Sequence, residues 1–117
     1  MGYKKFYNLE EIEKYYVPET NTYRFEENGL FLNVVFMFDI NVESNICANN
    51  ILAKDIVCLK ISTVDIDAYD IKATKLIANN IKALAVKVRD TIVYSGEINI
   101  GYSVVCGQII YNKLSNW

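Results

Sequence analysis

Asp65 and Asp67, two residues apart in DIDAYD, are the side chains whose type and spacing come nearest to a catalytic carboxylate pair or a cation site. Both can point outward only if one of them sits at a corner of the chain. A calcium loop needs more oxygen ligands at fixed spacing than this stretch supplies. The plainer reading is one turn residue, whose carboxylate bonds nearby amides, and one solvated strand residue. The three cysteines, Cys47, Cys58 and Cys106, are odd in number and lack CxxC spacing, so they read as reduced cytoplasmic thiols. There is no histidine, which removes the commonest general base and the commonest zinc ligand together. No P-loop or GxGxxG stretch occurs, and no Ser or Cys has a base beside it by motif. The sequence therefore predicts no enzyme, no cofactor and no metal site.

The elements that would position any such group must fit in 117 residues, enough for one domain. Apolar types make up 52% and charged types 22%, a balance that folds. A net charge of −2 offers no basic field for nucleic acid, and direct nucleic-acid binding is not expected. No apolar run reaches the roughly 18 residues of a membrane span. The start, MGYKKFYNLEE, lacks the apolar core of a secretory signal, so a cytoplasmic location is expected.

Residues 1–44 read as an N-terminal helix, a hairpin and a leading strand. Asn8 can cap a helix over 8–17, with Glu11 as its capping-box partner. Leu9, Ile12, Tyr15 and Tyr16 form its apolar stripe, and Pro18 ends it. Thr22–Phe25 is a short β-prone run, the first arm of a hairpin whose tight turn is marked by Asn28-Gly29. In LFLNVVFMFDINV, Leu32, Val34, Phe36, Phe38, Ile40 and Val42 alternate as in a strand with one buried face.

From Asn45 the chain falls into fives: NICAN, NILAK, DIVCL, KISTV, DIDAY, DIKAT, KLIAN, NIKAL, AVKVR. The second place is always a branched aliphatic, from Ile46 to Val86. The fourth is small in every block but the last, from Ala48 to Ala83, and the first is Asp or Asn in six of nine. Repetition of this kind outranks local propensity. A helix would spread the aliphatics around its cylinder, since five residues turn it by about 500°. A flat strand would alternate them between faces, because five is odd. A solenoid that turns a corner every five residues keeps second and fourth places inside and the third outside. Cys58 then points inward as packing and Cys47 outward. Asp and Asn suit the corners by bonding backbone amides and tolerating unusual backbone angles.

Residues 45–90 resemble a pentapeptide-repeat protein, which implies a small right-handed β-helix with four pentads per coil. In that family the small inward residue precedes the large one by two; here Ile precedes Ala by two. DIDAYDIKATKLIANNIKA is more similar to short I-x-A-x-x-I-x-A repeat proteins of bacteriophages and mobile elements of low-GC bacteria. The expected fold is mainly β, a pentapeptide-repeat-like solenoid with a short N-terminal α-helix and β-hairpin. Residues 91–117 should add a terminal pair of strands closing the last coil and a cap, with Tyr111, Leu114 and Trp117 over the open core, since solenoid ends need covering.

With four pentads per coil, positions twenty apart stack: Val57 with Ile77, and Val64 with Leu84. Such an external apolar strip would be a contact surface. Its occupant is the Leu9/Ile12/Tyr16 face, a second copy as a homodimer, or a target protein. Three pentads per coil, the second choice, group Cys47, Ser62, Ile77 and Ile92 instead. Charge divides unevenly: 1–44 carries four basic and eight acidic residues, and 45–90 seven basic and five acidic. If any part imitates an anionic nucleic acid, it is Glu10, Glu11 and Glu13 rather than the repeat. The resemblance implies a non-enzymatic protein–protein interaction module of a phage or mobile element. Such a module would bind and inhibit a host factor such as a CRISPR or other defence or nucleic-acid-handling complex. The alternative is a self-assembling structural solenoid.

Overall fold

The computed structural model describes residues 2–112, and it shows a mainly β solenoid of about five turns. Its coil has three walls, not four. Asp55 lies beside Asp70, Lys60 beside Lys75, and Asp65 between Asn50 and Asn80, so one coil takes fifteen residues. The first wall stacks Lys4–Phe6, Asn33–Phe36, Asn50–Leu52, Asp65–Asp67, and residues 80–83 and 98–100. The second stacks Ile40–Asn41, Asp55–Val57, 70–73, 85–88 and 103–106. The third stacks Thr22–Arg24, Asn45–Cys47, Lys60–Ser62, 75–78, 91–94 and 108–111. All of these pairings are parallel. Three walls bring the second-place aliphatics of a coil together at the centre. Ile46, Ile51, Ile56, Ile61, Ile66, Ile71, Leu76 and Ile81 are all at most 2% exposed. Three small fourth-place residues per coil fill the space between them, and Ala48, Cys58, Ala68, Ala73, Ala78 and Ala83 are all buried.

The corners carry the ladder onward rather than breaking it. Val64 N–H donates to Asn49 O (2.7 Å), and Asn79 N–H to Val64 O (2.7 Å), each one coil apart. Leu59, Thr74, Tyr69 and Leu84 do likewise at the other two corners. Corner Asp and Asn do not adopt the left-handed conformation; among the described non-glycine residues only Asn21 and Asn28 have positive φ. Their side chains bond between coils instead. Asn50 Nδ2 donates to Asn33 Oδ1 (2.9 Å), Asn80 Nδ2 to Asp65 Oδ1 (2.9 Å), and Glu97 N–H to Asn80 Oδ1 (2.8 Å). An Asn both donates and accepts, so a column of them forms a chain along the solenoid.

The solenoid extends beyond both ends of the pentad region. Residues 22–42 already supply wall segments. The expected leading strand is two strands, Asn33–Phe36 and Ile40–Asn41, separated by a corner, and its even positions stay inward because both strands face one interior. After residue 90 comes another coil rather than a closing strand pair. Ile98–Tyr111 runs parallel to Asn80–Tyr94 throughout, with coils lengthened to seventeen or eighteen residues (Ile81 beside Ile98, Ala85 beside Ser103). The extra residues are absorbed as register shifts at the corners, which erases the pentad without ending the pairing. At one of these corners, a Cβ on Gly107 would lie 2.6 Å from Asp90 O, so only glycine fits.

The expected α-helix is a 3-10 helix, Leu9–Tyr15. Asn8 Oδ1 accepts from Glu11 N–H (3.2 Å), and the Glu11 carboxylate reaches back to Tyr7 N–H. Three residues per turn place Leu9, Ile12 and Tyr15 on one face; Ile12 and Tyr15 are buried, while Leu9 at the start of the helix and Tyr16 after its end are exposed. Tyr16–Val17 is already extended ahead of Pro18 and pairs antiparallel with Thr22–Arg24. The turn expected at Asn28-Gly29 forms, with positive φ at both residues, but its arms are only Glu26–Glu27 and Leu30–Phe31; the run Thr22–Phe25, expected as the first arm, supplies Thr22–Arg24 to the third wall instead. No helix among the described residues is long and apolar enough to cross a membrane.

Candidate interaction surface

The two ends of the solenoid differ. The N-terminal end is sealed by aromatic rings: Phe25 lies 5.5 Å from Phe6, 5.1 Å from Tyr15 and 5.5 Å from Phe36, centroid to centroid, and all four are buried. The Tyr15 hydroxyl donates to Glu27 Oε1 (2.7 Å), which also receives Lys4 Nζ (2.6 Å). These contacts hold the Glu27 carboxyl below its ordinary pKa, chiefly through the Lys4 bond and then the Tyr15 bond. The helix face of Ile12 and Tyr15 belongs to this seal and does not cover an outer wall.

At the C-terminal end no described residue packs beyond the last strand, Ile98–Tyr111. Its inward side chains continue the core columns, with Val104 on Val86, Ile109 on Ile92 and Tyr111 on Tyr94, but Val104 is 41% exposed where Val86 is 2%. Tyr102, Val105, Ile110 and Tyr111 are exposed as well, although the Tyr111 ring meets Tyr94 at 5.1 Å. Of the expected cap residues only Tyr111 falls among the described residues; Leu114 and Trp117 lie outside them. Residues 98–112 contain no Asp, Glu, Lys or Arg. Natural sheet edges are usually blunted by charge or proline, and this one carries neither. Among the described residues this leaves an apolar coil end with one unpaired strand edge, a surface suited to being covered by protein. The sequence held this signal as a charge-free run. Glu97 and Lys113 flank the run and cancel in the net charge of 91–117.

The outer strip expected from four-sided stacking does not form. Val57 lies between Asn41 and Lys72 on the second wall. Ile77 lies between Ser62 and Val93 on the third. Val64 and Leu84 occupy different corners, bonded to Asn49 and Asn79 and to Tyr69 respectively. The fifteen-residue coil instead aligns Cys47, Ser62, Ile77, Val93 and Ile110, an outer column that turns apolar toward the open end. A register shift near Thr74 puts Val93, not Ile92, outside; Ile92 is buried. Glu10, Glu11 and Glu13 are all exposed on the 3-10 helix, far along the chain from the open coil.

The side chains singled out for chemistry are apart or occupied. Asp65 accepts from Asn80, and Asp67 sits between Leu52 and Lys82 in the outer column of the first wall. Among the described residues no three of Cys, Asp and Glu come together as a metal-binding group would require. Cys58 is buried and its thiol pKa is pushed up to about 12 by desolvation. Burial also raises that of Cys47. Two shallow grooves on the second wall, of about 400 and 520 Å³, share Lys72, Lys87 and Val105 as lining and open to solvent. Compared with protein-family models, curated proteins and solved structures, the chain matches none of them.

Proposed function

We propose that this protein is a non-enzymatic protein–protein interaction module that works through the open last coil. One observation carries the reading: a solenoid sealed by four buried rings at one end leaves an uncharged, half-exposed coil at the other. A contiguous exposed apolar surface of this kind marks an interaction site, because covering it removes apolar area from water. The repeat's likeness to proteins of phages and mobile elements sets the proposed context. There the module acts in the host cytoplasm, and its target is a host factor, such as a CRISPR or other defence or nucleic-acid-handling complex, that it inhibits by occupying a surface.

The test compares the parent with an Ile109→Lys, Ile110→Lys double variant as bait in host lysate. The parent should retain a stoichiometric partner and the variant should lose it, with unchanged far-UV circular dichroism. Equal capture by both baits, or capture by neither, would refute the reading. A second reading, self-assembly, is favoured by the same absence of charge, since identical surfaces bearing no charge meet without repulsion.

A further inference from the structure

We propose that in the isolated protein the open coil is covered by the open coil of a second copy, through a two-fold axis perpendicular to the solenoid. The proposal rests on the interaction reading above and names what covers the coil when no host factor is bound. Three features of the last coil favour an identical occupant. The first is register. The inward residues come as two per wall: Ile98 and Ile100, Val104 and Cys106, Ile109 and Tyr111. Reversing the strand direction sets Ile98 opposite Tyr111, Ile100 opposite Ile109, and Val104 opposite Cys106. Opposed residues in an antiparallel pair share a face, so every inward residue then meets an inward residue. The one-residue change of register this needs between walls is of the kind already made at the corners between Asn80–Tyr94 and Ile98–Tyr111.

The second feature is charge. A two-fold contact brings each group near its own image, so any ionised residue close to the axis is repelled. Residues 98–112 have none. On the second wall the outer column runs Lys72, Lys87, Val105, so the cations stop one strand short of the edge. The third is area. The last coil has 14 residues, Ile98–Tyr111, and at roughly 35 Å² per interface residue it offers on the order of 500 Å². Two copies together bury about 1,000 Å², the range of a weak, reversible contact, and continue both the sheets and the core. A host factor that binds the same coil would displace the second copy.

Val105 is the residue the axis passes closest to, and it is 60% exposed in one copy. In the pair, two Val105 side chains lie side by side with Cβ atoms about 5 Å apart. The full chain should therefore show twice its 13.4 kDa mass by light scattering at high concentration and dissociate on dilution. Its 98–111 amides should exchange with deuterium faster as it dissociates. Val105→Lys should give a monomer with an unchanged melting profile of the remaining coils, and so should Val105→Glu. Mixing the two should restore the double mass as a heterodimer, which loss of folding could not produce. A monomer at all concentrations with fast-exchanging 98–111 amides overturns the second copy while leaving a foreign partner to cover the coil. A monomer whose 98–111 amides are protected at every concentration overturns both proposals, because the chain's own residues would then cover the coil.

Discussion

Cys47 and Ser62 lie in register on neighbouring parallel strands of the third wall, both in the outward third place and both half-buried. Neighbouring strands run about 4.8 Å apart, inside the Cα separation that a disulfide spans. Ser62→Cys in a Cys106→Ser background should therefore cross-link to Cys47 without moving the backbone. The bond would close a loop of fifteen residues, worth up to about 3 kcal/mol in the chain-entropy account. At about 4 °C per kcal/mol for a chain this size, the melting temperature should rise by roughly 10 °C under oxidising conditions and return on reduction. Because burial raises the Cys47 thiol pKa, the bond should form faster as pH rises through the alkaline range. Non-reducing electrophoresis and peptide mass mapping read the cross-link, and circular dichroism reads the melt. The control is Asp67→Cys in the same background. A coil of twenty residues would place position 67 beside Cys47, whereas here it stands on the first wall between Leu52 and Lys82. A cross-link from position 67 and none from position 62 would refute the three-walled coil.

Ile66→Asp should unfold the protein at ambient temperature, since it places an unpaired carboxylate between Ile51 and Ile81 in a site 2% exposed, whereas Lys72→Glu on the outer second wall should shift the melt by only a degree or two. Glu27→Gln should melt below the parent at neutral pH. A carboxyl whose folded pKa is depressed lends stability above its ordinary value of 4.5, and that stability is lost as pH falls through the folded value, so the two melting curves should converge in acid. Asn80→Ala removes a donor to Asp65 and an acceptor for the Glu97 amide and should cost about 1–2 kcal/mol in urea unfolding. A thiol reagent on the native protein should label Cys47 and Cys106, both half-buried, and spare Cys58 until the chain is unfolded.

Much of this architecture was legible in the sequence because its cause is local. An Ile and an Ala two apart must share a face of a short strand, and nine repeats in phase must share an interior. That logic located Ile46 through Val86 inside and left Asp67, Lys72 and Lys82 outside, whatever the number of walls. The Asn28-Gly29 turn and the Asn8 cap were legible for the same reason, since each is decided within a few residues. The 3-10 form of the helix was less so: Tyr15 is held between Phe6 and Phe25, with Ile12 buried on the same face, and packing against segments on either side of the helix is not read from its own residues. The coil beyond residue 90 was hidden because lengthened corners destroy the period while inter-strand pairing, which no short window records, carries on.

A period of five determined by itself that the chain turns a corner after each Ile-x-Ala wall, because only a corner reconciles an odd repeat with a constant inside. It left the number of corners per coil free, and with it every outer neighbour, so Val57 and Ile77 could be placed together on paper and lie on different walls in the fold. Packing decided that number, by bringing three aliphatics rather than four to a common centre. Only the tertiary structure decided which end of the stack has its core columns sealed and which, among the described residues, ends on a strand with exposed side chains, since exposure depends on what lies on the far side of a residue and not on the residue itself.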